Sequence, residues 1–453
     1  MSKIKLTSYG AAEEVTGSCH LLKIDNYKIL IDCGLFQGSK ENYLKNWENF
    51  KFNPRDINTV ILTHAHLDHC GRIPKLFKEG CQAKIYATPP TIELANLIMK
   101  DNFNIMPSKG KKFNLKGLYS LEDLKKVSKN WFKINYYQKQ ILTSDISFTF
   151  HNAGHILGAS MIEIKIANKI IIFTGDIGGK NMPLVKEIDY LDKADYIIME
   201  TTYADRLHEE IKDRNKKLIE AVQRTNLNNS TLLISVFAIE RTQDILKVLN
   251  DYYESHLDFN VPVFLDSPLA IKATIIYKKY LSLLNKETQI TLKNDKDIFN
   301  FPHLKISKQS KDSKKINYLP PPKIILAGSG MAEGGRIIHH LAQYISEEKN
   351  NILFVGFQVP GTLGYKLTHG AFNFDFYSKT KKIRAKIDSS DGFSAHGDQK
   401  SLLDWLNKFK QKPKNIFLVH GNKKAMKIFS EILKNKLKIS NKIIKFGEKN
   451  NLY

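Results

Sequence analysis

The chain is poor in cysteine, with four in 453 residues (Cys19, Cys33, Cys70 and Cys81) and no Cys-x-x-Cys spacing. That argues against a disulfide framework or a thiolate zinc module and leaves reduced, mostly buried thiols as the expectation. Long apolar runs are missing too, and none approaches the ~18 residues of a membrane span. The opening Met1-Ser2-Lys3-Ile4-Lys5-Leu6 passes straight into a strand pattern without an apolar leader, so the expectation is a soluble, cytoplasmic protein. Acid is scarce against base, with 46 Asp and Glu facing 69 Lys and Arg, a formal net charge of +23. Such an excess favours a polyanionic partner, nucleic acid first, although a chain rich in Lys, Ile and Asn throughout also carries charge merely as solvated surface.

What the sequence does have is enough apolar residue for real cores, 42%, and a length for which two domains are the natural expectation. One short stretch organises it. Thr59-Val60-Ile61-Leu62-Thr63 reads as a buried strand, and His64-Ala65-His66-Leu67-Asp68-His69 follows at once. Four potential metal ligands fall within six residues, with no aliphatic periodicity to place them on a helix face. His64 and His66 can share one metal, and Asp68 and His69 can hold a second. Imidazole with carboxylate suits Zn2+ better than the oxygen-seeking Mg2+ or Ca2+. Cys70 adjoins the set and is read as packing.

The same design recurs. Strands ending at Ile31, Phe150 and Thr174 run into Asp32, His155 and Asp176, and Asn415–Val419 runs into His420. Gly154 beside His155 favours that histidine over His151 as the ligand. Asp32 either meets a cationic centre or caps its loop. Between these segments, from about 205, the pattern becomes alternating helix and strand: Thr231–Ser235, Val261–Leu265 and Lys323–Ala327 alternate with helices near 208–225, 240–253 and from Pro268. That alternation implies a parallel sheet covered on both faces. The expected organisation is therefore residues 1–204 as a first domain, 205–375 as an insertion, and 376–453 returning to complete the first. Residues 308–322 read as a solvated connection, 120–132 as helical, and 108–118 as a linker. Two strand-to-helix turns, Ser235-Val236-Phe237-Ala238 before Arg241 and Gly328–Arg336, are candidate anion sites because backbone N–H groups converge there.

The ligand set Asp32, His64-x-His66-x-Asp68-His69, His155 and Asp176 resembles the metallo-β-lactamase fold. Glu200, the helix bearing Arg241, Asp266-Ser267-Pro268-Leu269-Ala270, the Gly328–Arg336 loop, His396 and Val419-His420-Gly421 resemble its β-CASP branch. That branch acts on nucleic acid and includes the mRNA 3′-end cleavage and polyadenylation endonuclease and ribonuclease J. Phe357–Gly364 is most similar to the prokaryotic ribonucleases. The resemblance implies an αββα sandwich with an inserted parallel-sheet α/β domain. It implies two zinc ions, one held by His64, His66 and His155 and the other by Asp68, His69 and His420, with Asp176 bridging and Asp32 orienting a ligand. His396 would be the general acid and Glu200 its partner. Ser235, Arg241, Ser267, Ser329, Gly330, Gly335 and Arg336 would contact RNA phosphates. Asn422 stands where the family usually has Glu. The implied function is zinc-dependent hydrolysis of single-stranded RNA, or single-stranded DNA, in an endonucleolytic mode; a homodimer is among the implied assemblies. The alternatives are a 5′-exoribonuclease, a small-molecule metallohydrolase on the same fold, or an RNA-binding scaffold without activity.

Overall fold

The computed structural model describes residues 3–111, 114–209, 211–376 and 379–453. Two compact units divide the chain, the first being 1–180, 187–207 and 396–453, the second 181–186 and 208–395.

The first unit is a sandwich of two mixed sheets, each of seven strands among the described residues. One runs Lys449–Leu452, Ile4–Ser8, His20–Ile24, Tyr27–Ile31, Thr59–Ile61, Lys84–Ala87, Trp131–Lys133. The other runs Asn441–Ile443, Asn415–Val419, Tyr196–Glu200, Lys169–Phe173, Ser160–Ile166, Ile146–Asn152, Lys139–Ile141. Strand alternation sends every second side chain inward. Leu6, Leu22, Ile29 and Ile61 from the first sheet therefore meet Phe148, Phe150, Ile164 and Phe173 from the second in one apolar layer. Helices such as Lys423–Ile432 cover an outer face through Ala425, Met426 and Phe429.

Parallel pairing sets the functional edge. Ile31 pairs with Ile61 in the first sheet, so Asp32 and the segment from Thr63 leave side by side. Phe173 pairs with Ile198 and Glu200 with Val419 in the second, so the chain beyond Phe173, Glu200 itself and His420 emerge at one edge as well.

The second unit holds a six-stranded all-parallel sheet in the order Leu304–Ile306, Val263–Leu265, Lys323–Ala327, Thr231–Ser235, Asn351–Val355, Lys386–Ser390. Near-continuous apolar strands such as Lys323-Ile324-Ile325-Leu326-Ala327 are what burial on both faces requires.

Several local expectations change. The helical spacing at 120–132 yields a helix only over Leu121–Lys129. Asn130 ends it with its amide on the Lys126 carbonyl, and Trp131–Lys133 becomes an edge strand. Residues 308–322 are not a bare connection. Ser310–Ile316 is helical, and the buried Lys323 ammonium caps it at the Ile316 carbonyl, 2.9 Å away. Asp68 and His69 sit in a short helix, Leu67–Cys70, rather than in a loop. The helix that opens at Pro89 runs on to Lys111, into the stretch expected as a linker; residues 112 and 113 of that stretch lie outside the described residues. Residues 379–395 belong to the second unit, because Lys386–Ser390 extends its sheet beside Asn351–Val355, and the chain rejoins the first unit at His396.

Ile164 is fully buried between the sheets. Ile164→Ala should destabilise the first unit by about 2–5 kcal/mol, read as a lower urea midpoint. A loss under about 1 kcal/mol would mean that the two sheets do not close over this residue.

Candidate metal centre

Two donor clusters lie at the ligand edge of the sandwich. His64, His66, His155 and Asp176 offer atoms within 4.8 Å of one another, and so do Asp68, His69 and His420. Asp176 faces both. Its Oδ2 stands 3.4 Å from His64 Nε2 and 3.5 Å from His155 Nε2, while its Oδ1 stands 3.3 Å from His69 Nε2 and 3.7 Å from His420 Nε2. Of the seven ligands expected from the sequence, none lies elsewhere. His151, the competitor of His155, instead points at Glu163, 3.5 Å away.

The hydrogen bonds behind the clusters fix which ring nitrogens carry protons. Thr63 gives its hydroxyl hydrogen to Asp32 Oδ2 at 2.8 Å, so its oxygen can only accept from His64 Nδ1 at 3.0 Å. Asp32 also accepts from His69 Nδ1 at 2.7 Å and from the Thr63 amide at 2.8 Å. Thr202 gives its hydrogen to the His420 carbonyl at 3.1 Å and accepts from His420 Nδ1 at 3.0 Å. In its neutral form, each of His64, His69 and His420 therefore turns a bare Nε2 lone pair inward. Those of His69 and His420 face each other at 3.1 Å, with the Asp68 carboxylate 3.4 Å from His420.

Such an arrangement repels itself unless a cation sits among the donors. Asp176 Oδ1 has no hydrogen-bond donor, as a metal-facing oxygen would not. The residues thus fit divalent metal, and the nitrogen-rich donor set fits Zn2+ chemistry. The electrostatics divide the set. Burial, reinforced by neighbouring imidazoles, pushes His66 and His155 well below the usual histidine range and keeps them neutral. Burial opposes charge on His69, but the Asp176 and Asp32 carboxylates overcome it and push it well above the usual range, so positive charge is favoured at that nitrogen, as a ring proton or as a bound cation.

Beside the clusters stands a second constellation. His396 Nδ1 lies 3.1 and 3.2 Å from the two Glu200 oxygens and 3.8 Å from Asp176 Oδ2. Glu200 is fully buried and accepts from the amides of Ile177 at 2.7 Å and Thr202 at 3.2 Å. Burial works against charge on His396, but the Glu200 and Asp176 carboxylates overcome it and push its pKa up to about 9. Close backbone approach builds these turns: a Cβ on Gly178 would lie 1.7 Å from the Gly154 carbonyl oxygen, and one on Gly34 1.5 Å from that of Asp68.

The candidate phosphate contacts of the second unit are tied into its own network. Arg241 is buried, paired with Asp244 at 2.6 Å and donating to the Phe393 carbonyl at 2.5 Å. Arg336 donates to Asp266 at 2.5 Å and to the Ser307 and Lys308 carbonyls at 2.8 and 3.2 Å. Ser235 donates to the Ser329 carbonyl at 3.0 Å, and Ser267 caps the helix Pro268–Lys279 through the Ala270 amide at 3.3 Å. Ser329 accepts from the Glu333 amide at 3.0 Å, and a Cβ on Gly330 or Gly335 would collide with Phe237 or the Gly328 carbonyl. Asn422, in the family's Glu position, caps the helix Lys423–Ile432 through the Ala425 amide at 2.9 Å. Thr63 and Thr202, which set the imidazole tautomers, were missed from sequence; the only signal was a threonine beside a ligand-bearing strand end.

Comparison with known proteins agrees with this geometry. A metallo-beta-lactamase superfamily domain matches residues 21–201, a Beta-Casp domain 242–367, and a Zn-dependent metallo-hydrolase RNA specificity domain 380–444. The fold and centre define a metal-dependent hydrolase of the metallo-β-lactamase superfamily. Within it, the chain belongs to the β-CASP family. It is 33% identical over 430 residues to Ribonuclease TTHA0252 of Thermus thermophilus, covering 95% of this chain and 96% of that one. An RNase J-like protein of Methanocaldococcus jannaschii is 32% identical over 442 residues, covering 96% and 97%. A solved structure of a protein of unknown function from Enterococcus faecalis V583 shares the fold, at a TM-score of 0.56 and 14% identity over 99% of this chain and 100% of that one.

Because Asp176 touches both clusters, Asp176→Ala should lose most bound divalent metal in elemental analysis of the purified protein, while His151→Ala keeps it. Full metal content in Asp176→Ala would place the metal elsewhere.

Proposed function

We propose that this protein is a two-zinc ribonuclease that hydrolyses phosphodiester bonds within single-stranded RNA. The observation that carries the reading is the single carboxylate of Asp176 reaching two donor clusters, with the His396–Glu200 pair alongside. His64, His66 and His155 would hold one ion, Asp68, His69 and His420 the other, and Asp176 would bridge them. When bound, two zinc ions supply Lewis acidity, making water a nucleophile near neutral pH and neutralising the phosphate oxygens.

The chain's own groups do the rest. Asp32, Thr63 and Thr202 keep the ligand rings aimed and in the tautomer that presents Nε2. With Nδ1 directed at Glu200, His396 presents Nε2–H as the proton source for the leaving oxygen. An alkoxide is a poor leaving group, so that proton matters. Glu200 holds the imidazolium charged and oriented. The similarity to a ribonuclease over nearly the full length of both chains, together with the RNA specificity domain match, supports RNA as substrate.

An internally labelled, structured RNA with both ends blocked tests the cleavage mode. Discrete internal products that vanish with zinc chelation and in Asp68→Ala are expected. Products only from an RNA with a free 5′ end would make the enzyme an exonuclease.

A pair of variants tests the acid. His396→Ala should keep its metal yet cleave about 10²–10⁴-fold more slowly. A raised pKa keeps the imidazole protonated up to higher pH, so the rate should fall as pH climbs through that value, about 9 in this structure. Removing the Glu200 charge lowers it, so in Glu200→Gln the falling limb of the pH–rate profile should move to lower pH. An unmoved limb would detach Glu200 from the proton transfer.

A further inference from the structure

The ligand edge of the sandwich carries an exposed feature that the metal chemistry does not use. Phe446 lies in the turn between the strands Asn441–Ile443 and Lys449–Leu452 and is 48% exposed. Its ring meets Tyr9 edge-on at 6.1 Å, Tyr9 meets Phe52 at 5.2 Å, and Phe52 meets Phe50 at 5.2 Å. Tyr9, Phe52 and Phe50 are half-buried, so each ring of the row keeps some surface toward solvent.

Cations flank the row. Lys445, Lys449 and Lys51 are exposed, whereas the Lys75 ammonium and Arg72 guanidinium, 4.7 and 5.5 Å from the Phe50 ring centre, are buried and pack Phe50 onto the sandwich. Three acids beside the row face lysines: Glu448 pairs with Lys442 at 2.7 Å, Glu79 with Lys75 at 3.5 Å, and Glu48 stands 3.9 Å from Lys51.

Register puts one end of this row at the metal edge. Thr7 pairs with Lys449 and Ser8 with His20, which itself pairs with Ile31 just before Asp32. Gly447 donates to the Ser8 carbonyl at 2.9 Å, and two residues past Tyr9 the Ala11 carbonyl accepts from the His420 amide at 2.7 Å. A satellite core would bury its rings. A line of part-exposed rings bordered by lysines is what successive bases and phosphates of a single strand require, rings for stacking and ammonium groups for the backbone.

We infer that Phe446, Tyr9, Phe52 and Phe50, with Lys445, Lys449 and Lys51, form a stacking track for single-stranded RNA next to the metal centre. It takes up nucleotides flanking the scissile bond without reading their sequence. The inference rests on the ribonuclease reading for the identity of the strand, and its test does not depend on cleavage.

Binding of a fluorescein-labelled oligouridylate of about 16 nucleotides, within the length such surfaces accommodate, is measured by anisotropy on zinc-loaded protein, every variant and its wild-type reference carrying His396→Ala so that the strand stays intact. Phe446→Ala should raise Kd about 5- to 30-fold, the loss of one stacked base. The double substitution Lys445→Gln with Lys449→Gln should flatten the slope of log K against log salt by about 1.4, two single-strand phosphate contacts. Lys410→Gln, a surface lysine at the opposite end of the strand Asn415–Val419, controls for net charge and should bind as wild type does. Both track variants within twofold of wild type, or a loss in Lys410→Gln equal to theirs, would overturn the track. Track-dependent binding, with zinc-loaded protein that retains His396 cutting no RNA, would overturn the ribonuclease reading and leave the track standing.

Discussion

Lone pairs and carboxylate oxygens that face one another in a buried space need positive charge between them. At the ligand edge of this sandwich the His69 and His420 nitrogens meet at 3.1 Å, with Asp68 and Asp176 oxygens beside them. Such a cluster is costly to hold together without a cation. Thr63, Asp32 and Thr202 make the arrangement unavoidable, because their hydrogen bonds take the ring protons away from the centre. The surrounding architecture can be understood as the means of keeping these donors assembled.

Parallel strand pairing does that work. Asp32, His64, Asp176 and His420 closely follow strands whose registers are locked by a shared apolar core, and Asp68 and His69 sit in the short helix that comes next after His66. Short glycine turns let segments touch backbone to backbone, as at Gly34 against Asp68 and Gly178 against Gly154. The same edge brings His396 to Glu200, where burial and neighbouring carboxylates compete over its proton and the carboxylates prevail. Ligand-holding and proton-holding groups thus share Asp176 as a neighbour.

Much of this was legible beforehand because the chemistry is local in sequence. A buried strand running into His-x-His-x-Asp-His is a strong signal, and its repetition at His155, Asp176 and His420 pointed to one sheet edge. The βαβ rhythm after 205 announced a parallel sheet for the same reason, an apolar run that alternates with amphipathic helix. Signals failed where tertiary context decides. Trp131–Lys133 has helical neighbours but pairs as an edge strand, and the Lys/Ser-rich 308–322 looks solvated yet supplies Ser313 to Asp266 and the Lys308 carbonyl to Arg336. Arg241 and Arg336 resemble phosphate binders in sequence, and each guanidinium is paired through Nη1 with a buried carboxylate of its own unit, a contact no motif announces.

The sequence by itself determined the ligand types, their placement after strands, the inserted α/β segment and the excess of base, since all of these follow from residue chemistry and periodicity. It could not determine which donors meet. Asp176 divides its two oxygens between clusters drawn from positions as distant as His64 and His420, and the tautomers depend on two threonines that no motif marks. The row from Phe446 to Tyr9 and Phe50 likewise joins the two ends of the chain. Those meetings are set by strand register, which a one-dimensional pattern leaves open because pairing partners are chosen by the packed core as a whole.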